Sequence, residues 1–150
     1  MPMHVKKTVG GTTYAPVFIG QILGMQQVVV DVSELTTAEV DADGWLKPGV
    51  AFKKDGTLCD GTGGEFVYAV NPEPQNLHLD TVPPTDGTLA ADTKTYPLGM
   101  GTGGEINRDI AEDNMGRAYT ANELAAFNAA GSMIHLTKTE RSYERWLLEV

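Results

Sequence analysis

The chain has 150 residues, with 11 Lys and Arg against 20 Asp and Glu, which gives a formal charge of −9 at pH 7. A body this acidic repels phosphate, so nucleic acid is not an expected partner. The single cysteine, Cys59, excludes an intrachain disulfide, and glutamines and glycines interrupt the most apolar stretch (16–30), so no membrane span is expected.

The N-terminal region differs in charge from the rest. Asp31 is the first acidic residue, so residues 1–30 carry only Lys6 and Lys7, and all of the net negative charge lies beyond them. Residues 1–16 contain adjacent glycines and show no apolar periodicity. We predict a flexible N-terminal arm over 1–16, followed by a single β-rich domain over 17–150. Such an arm is either a disordered terminus or a segment that orders on a partner, for instance by adding a strand to a sheet edge.

Two apolar runs follow the arm. Val17–Leu23 and Gln27–Val32 are rich in β-branched residues, which favours strands, and Gly24 between them is compatible with a hairpin. Ser33–Val40 is either a short helix capped by Ser33 or a loop.

Closely spaced turn signals mark the middle of the chain. Asp-Gly or Pro-Gly pairs end at Gly44, Gly49, Gly56 and Gly61, a pattern typical of a compact β-meander, and FVYAV (66–70) after them predicts a strand. The stretch 71–98 contains five prolines and no run long enough for a helix. It predicts an extended connection with a short strand at Leu77–Asp80.

The sequence AYTANELAAFNAAGSMIHLT (118–137) predicts a helix over about residues 120–130. Thr120 and Glu123 form a capping box, and Gly131 occupies the position of a helix C′ residue. Leu124 and Phe127 are expected on the buried face, and a strand with Ile134 and Leu136 on one side should follow. Residues 143–150 fit a helix or a strand. The expected fold class is α+β, mostly β, with short strands, glycine-rich turns and one C-terminal helix.

Residues 99–104, GMGTGG, match G-x-G-x-x-G, the glycine fingerprint of dinucleotide-binding folds. That fingerprint requires a buried strand before it and a helix after it. Here the preceding DTKTYPL is polar and contains Pro97, and a following helix would be uncapped. The string GTGGE also occurs twice, at 61–65 and 101–105. Both copies are therefore interpreted as glycine turns that lead into strands.

Other candidate sites are weak. Residues 39–44 resemble the start of a calcium loop, but Val50 stands where that loop needs a glutamate. His4, His78 and His135 lack ligand spacing, and Cys59 would need a histidine brought to it by the fold. No catalytic group, metal or cofactor is expected, and we do not expect an enzyme.

The pattern resembles the lambda-type head decoration proteins of tailed bacteriophages. LKPGVAFKKDGTL (46–58) is similar to an early strand–turn–strand segment of that family, GEINRDI (104–110) to a later strand that ends in a polar turn, and YTANELAAFNAAGSMIHL (119–136) to the closing helix, glycine and strand.

The resemblance implies a non-enzymatic structural protein on the outer capsid surface of a virion, made in the host cytoplasm. Its partners would be the major capsid protein and two further copies of itself, as a homotrimer that stabilises the expanded capsid. The arm would contact the capsid through Met3, His4, Val5, Lys6, Lys7, Thr8, Val9 and Tyr14. The alternative is a β-rich adhesin module that binds carbohydrate through exposed Trp45 or Tyr68.

Overall fold

The computed structural model describes residues 7–9, 12–79 and 95–137. The strands are β1 (Lys7–Val9), β2 (Thr12–Tyr14), β3 (Phe18–Asp31), β4 (Trp45–Leu46), β5 (Ala51–Phe52), β6 (Ala69–Val70), β7 (Gln75–Asn76), β8 (Thr95–Asn107) and β9 (Ile134–Thr137). The helices are α1 (Arg108–Met115) and α2 (Ala121–Asn128). The fold is α+β and mostly β, which confirms the predicted class.

The main sheet is built around β8. Its strand order is β3-β8-β6-β5, all antiparallel, and β9 pairs in parallel with the last residues of β8. Two further pairs, β1–β2 and β4–β7, are separate small antiparallel ladders. Because side chains alternate across a strand, Val28 and Val30 are buried in the core while Val29 is half exposed on the other face.

The two apolar runs near the N-terminus form one strand, not a hairpin. β3 pairs with β8 from Phe18 to Asp31, but the partner of Ile19 is Glu105 and the partner of Gly24 is Gly103. Residues 20–23 therefore bulge out opposite one residue of β8, and Gly20 supplies the left-handed backbone (φ 68°) that the bulge needs. The predicted hairpin is wrong, because both runs lie in one strand and pair with β8 rather than with each other.

The turn predictions are confirmed at all four glycines, since Gly44, Gly49, Gly56 and Gly61 have φ between 83° and 108°. Gly56 is also sterically required, because a Cβ there would lie 1.7 Å from the carbonyl oxygen of Val29. The strands between these turns, β4 and β5, are only two residues long. The predicted FVYAV strand is also short and is reduced to Ala69–Val70.

The loop alternative for Ser33–Val40 is confirmed, whereas the predicted strand Leu77–Asp80 does not form over its described residues 77–79. The segment after β3 forms a single 3-10 turn, Val32–Glu34, and its cap is Asp31 rather than Ser33. The proline-rich stretch forms β7 at Gln75–Asn76 instead of a strand at Leu77–Asp80, and residues 80–94 lie outside the described part of the chain.

The capping box of α2 is confirmed: the Thr120 hydroxyl accepts from the Glu123 N–H, and the Glu123 carboxylate accepts from the Thr120 N–H. Phe127 is fully buried, whereas Leu124 is only partly buried. The predicted glycine cap is wrong, because α2 ends at Asn128 and its C-cap, Ala129, has φ −67°.

The other C-terminal predictions have mixed outcomes. β9 is confirmed, with Ile134 buried and Leu136 half buried on the same side. Residues 143–150 lie outside the described residues. Helix α1 was not predicted. It is capped by the Asn107 side chain, which accepts a hydrogen bond from the Ile110 N–H, so the expectation that a helix after the glycines would be uncapped is wrong.

Candidate functional site

The glycine fingerprint lies inside a strand. Residues 99–104 belong to β8, so the preceding DTKTYPL and the glycines form one continuous strand rather than a strand and a phosphate-binding loop. A Cβ on Gly101 would lie 2.3 Å from the ring of Phe18, and a Cβ on Gly99 would lie 3.7 Å from the Met25 methyl group. The space above these glycines is occupied by side chains of β3. The prediction of a turn at 101–105 is corrected, and the copy at 61–65 alone is a turn.

The exposed large apolar side chains of the described residues concentrate on β3. Of the six in the described residues, four belong to this strand: Ile19, Leu23, Met25 and Val29, which are 36%, 75%, 51% and 49% exposed. Exposed Met133, in the loop before β9, is close to this group, because its carbonyl oxygen and Leu23 Cβ both lie near Gly103. We call these five residues the outer face.

The two strands behind the outer face carry no charge over most of their length. No charged residue occurs from Phe18 to Val30 in β3 or from Thr95 to Gly104 in β8. Charged residues stand only at the ends of the ladder, where Asp31 pairs with Thr95 and Glu105 pairs with Ile19. In a chain of net charge −9, this is an uncharged apolar surface, which is the usual character of a protein contact site.

The N-terminal segment enters the body at Tyr14. The Tyr14 side chain is 3% exposed, and its hydroxyl donates a 2.8 Å hydrogen bond to Asp41 Oδ2. Burial and the Asp41 carboxylate raise the pKa of Tyr14 well above its usual range. Asn114 then holds both backbone groups of Ala15.

Tyr14 therefore belongs to the body and is unavailable to a partner, which corrects its placement in the arm. Met3, His4, Val5 and Lys6 lie outside the described residues, while Lys7, Thr8 and Val9 form β1 against β2.

The acidic segment after β3 is partly directed inward. Asp41 is 9% exposed and accepts hydrogen bonds from the N–H groups of Asp43 and Trp45. Glu39 is 6% exposed and accepts from the backbone and hydroxyl of Thr36. These carboxylates hold a loop together, so residues 39–44 resemble a calcium loop in sequence only. No group of three or more potential metal ligands occurs in the ranges that the structure describes.

Cys59 is buried beside a cleft of about 250 Å³. Burial and the nearby Glu65 raise the pKa of this thiol to about 12, so it is protonated at neutral pH and a poor nucleophile. Arg117, which also lines the cleft, is paired through two hydrogen bonds of 2.8 and 3.0 Å with the Glu123 carboxylate. In this cleft, the Arg117 guanidinium is therefore paired with Glu123, and the Cys59 thiol is buried and protonated.

The aromatic residues proposed for carbohydrate binding are not fully exposed. Trp45 and Tyr68 are each half buried, and Tyr68 packs against the hydrophobic core. Both residues are therefore less exposed than the adhesin alternative assumed.

Comparison of the chain with protein-family models, with curated proteins and with solved structures finds no match. Within the part of the chain that the structure describes, neither helix is long and apolar enough to cross a membrane. Sequence reasoning missed the outer face, although the signal was present: a long uncharged run at 16–30 in which apolar residues occupy both alternating positions.

Proposed function

We propose that this protein is a non-enzymatic capsid decoration protein that binds the outside of an expanded phage head and stabilises it, as a homotrimer on the capsid. The observation that carries the proposal is the outer face, an apolar and uncharged surface on an acidic protein. The resemblance of segments 46–58, 104–110 and 119–136 to lambda-type decoration proteins supplies the partner, the major capsid protein.

The distribution of charge supports the outer face as the contact surface. Like charges across an interface cost free energy, so contacts in a strongly acidic protein should avoid its carboxylates. The outer face meets that condition because charged residues occur only at the ends of the β3–β8 ladder. Residues 1–30, which include all of β3 except Asp31, contain two lysines, Lys6 and Lys7, and no acidic residue.

Because a capsid lattice offers many binding sites, each single contact needs only a small binding free energy. Avidity and cooperative binding allow a modest apolar face on each subunit to produce stable occupancy. A shallow sheet face is therefore sufficient for this role, whereas a small-molecule site would need an enclosed pocket with convergent polar groups.

The test is co-sedimentation of the purified protein with heads of the source virus, before and after expansion. Binding to expanded heads alone is the expected result. Binding to neither form would overturn the proposal, and binding to glycans instead would favour the adhesin alternative.

Two variants show which surface makes the contact. Met25→Asp places a charge in the outer face, and we expect it to weaken capsid binding by about 30-fold, the typical effect of disrupting an apolar anchor. Ala125→Asp adds the same charge at an exposed position of α2 and should bind as wild type does. Equal binding by both variants would exclude the outer face as the contact.

A deletion of residues 1–13 tests the arm separately. It leaves Tyr14 and its hydrogen bond to Asp41 in place, so the body should keep its fold. We expect the truncated protein to unfold at an unchanged denaturant concentration and to lose capsid binding. Full binding by a folded truncated protein would contradict a role for the arm.

A further inference from the structure

β3 has one side that the other described strands leave open. It hydrogen-bonds to β8 and lies at the end of the sheet order, so its second edge faces away from the sheet. Among the described residues, the turn at Gly56 covers part of that edge: the Asp31 N–H donates to the Gly56 carbonyl oxygen at 3.1 Å, and Gly56 lies against the Val29 carbonyl.

The backbone groups that remain open can be identified by alternation. In an antiparallel ladder, successive residues direct their N–H and C=O groups to opposite sides. Asp31 and Val29 direct theirs toward Gly56 and away from β8. The N–H and C=O groups of Met25 and Gln27 point in the same direction. No backbone group in the described residues forms a hydrogen bond with them.

This edge lacks the usual protection against pairing with another strand. Proteins block exposed edges with charged side chains, proline or very short strands. From Phe18 to Val30 there is no charge and no proline, and β3 is 14 residues long. The ladder to β8 is irregular between Ile19 and Met25, which is a protective device, but it is regular from Met25 to Asp31.

The groups at this edge are self-complementary. Gln26 and Gln27 are both exposed, and an amide side chain can donate to and accept from an identical amide. Backbone N–H and C=O groups have the same property, whereas two carboxylates or two ammonium groups repel each other. This edge belongs to an uncharged stretch of a chain of net charge −9, so two copies can approach here without like-charge repulsion.

We propose that two copies of this protein associate in solution by antiparallel pairing of their β3 edges about a two-fold axis at Gln26. In this arrangement Met25 of each copy pairs through its backbone with Gln27 of the other, and the two Gln26 residues face each other. Side chains directly opposite in such a pair lie close together, so the Gln26 amides can hydrogen-bond.

The proposal does not depend on capsid binding. The pairing uses the edge of β3, whereas the capsid contact proposed above uses the side chains of its outer face. A dimer that fails to bind heads, or a monomer that binds them, would therefore separate the two ideas.

The first test measures the mass of the full chain by sedimentation or light scattering over a concentration series. The expected species approaches twice the chain mass of 16.1 kDa as concentration rises. Gln27→Pro removes an outward N–H without removing a hydrogen bond to β8, so it should shift the species to monomer. Val29→Thr, whose backbone is covered by Gly56, is the matched control and should remain a dimer.

The second test addresses the symmetry directly and does not depend on a proline. Gln26→Lys and Gln26→Glu should each be monomeric, because like charges would face each other across the axis. An equimolar mixture of the two variants should recover the dimer mass, and salt should weaken this recovery. Only an arrangement that places residue 26 opposite itself gives recovery on mixing.

A monomeric wild-type chain across the whole concentration series would overturn the proposal. A wild-type oligomer whose mass is unchanged in Gln27→Pro and in both charged variants would also overturn it, because another surface would then hold the copies together.

Discussion

The duplicated string GTGGE allows one substitution to be tested in two environments, with opposite expected signs. Gly63 lies in the left-handed region (φ 68°), and no atom lies within 4 Å of the place where its Cβ would stand. Gly103, its counterpart in β8, lies outside that region, and its nearest contact would be Leu23 Cβ at 3.7 Å, an ordinary van der Waals distance.

The expected free-energy changes follow from these two conformations. Gly63→Ala should lower the free energy of unfolding by about 1–2 kcal/mol, the cost of holding an L-residue in the left-handed region. Gly103→Ala should raise it by about 0.5–1 kcal/mol, because alanine reduces the entropy of the unfolded chain and fits the strand. The two variants should therefore differ by roughly 1.5–3 kcal/mol.

Equilibrium unfolding in urea, followed by tryptophan fluorescence, measures both values. The slopes of free energy against urea concentration should match the wild type, so that the midpoints report stability alone. If Gly103→Ala destabilised the protein as much as Gly63→Ala, the assignment of residues 101–105 to a strand would be refuted, and a turn in both copies would be restored.

Three further predictions concern the core, the helix and the thiol. Gly101→Ala should destabilise by about 1–3 kcal/mol through its clash with the Phe18 ring; Phe18→Leu in the same chain should offset part of this loss in a double-mutant cycle, and strict additivity would contradict the contact. Thr120→Ala removes the α2 cap and should cost about 1 kcal/mol in urea unfolding, whereas an unchanged midpoint would show that the capping box contributes nothing. Cys59 has a folded pKa of about 12, above its unfolded value, so it stabilises the fold below about pH 9, and that stability is lost as pH rises toward 12. Cys59→Ala should therefore show a shallower loss of stability between pH 9 and 11 than the wild type, and identical slopes would argue against a buried thiol.

The local features of this fold were determined by the sequence. The α2 capping box joins Thr120 and Glu123, three residues apart, so its hydrogen bonds form wherever that segment is helical. The turns at Gly44 and Gly56 likewise follow from local chemistry, because glycine adopts positive φ without the steric cost that other residues carry. The acidic charge and its absence from residues 16–30 were also legible without a structure.

The pairing of distant segments was decided only by the tertiary structure. Val29 pairs with Pro97, and nothing near either residue in sequence indicates the other. That pairing made one long strand out of two apolar runs and left four of their apolar side chains exposed in the outer face. It also placed Asn107 where it caps α1. It also gave Tyr14 a buried acceptor in Asp41.

The two copies of GTGGE show most directly that a local sequence does not by itself determine its conformation. In the first copy, Gly61 approaches the backbone of Asn122, and its left-handed conformation forms a turn. In the second, Gly101 admits the ring of Phe18 and stays in a strand. Glycine has little conformational preference of its own, so identical letters took the conformation that their distant neighbours required.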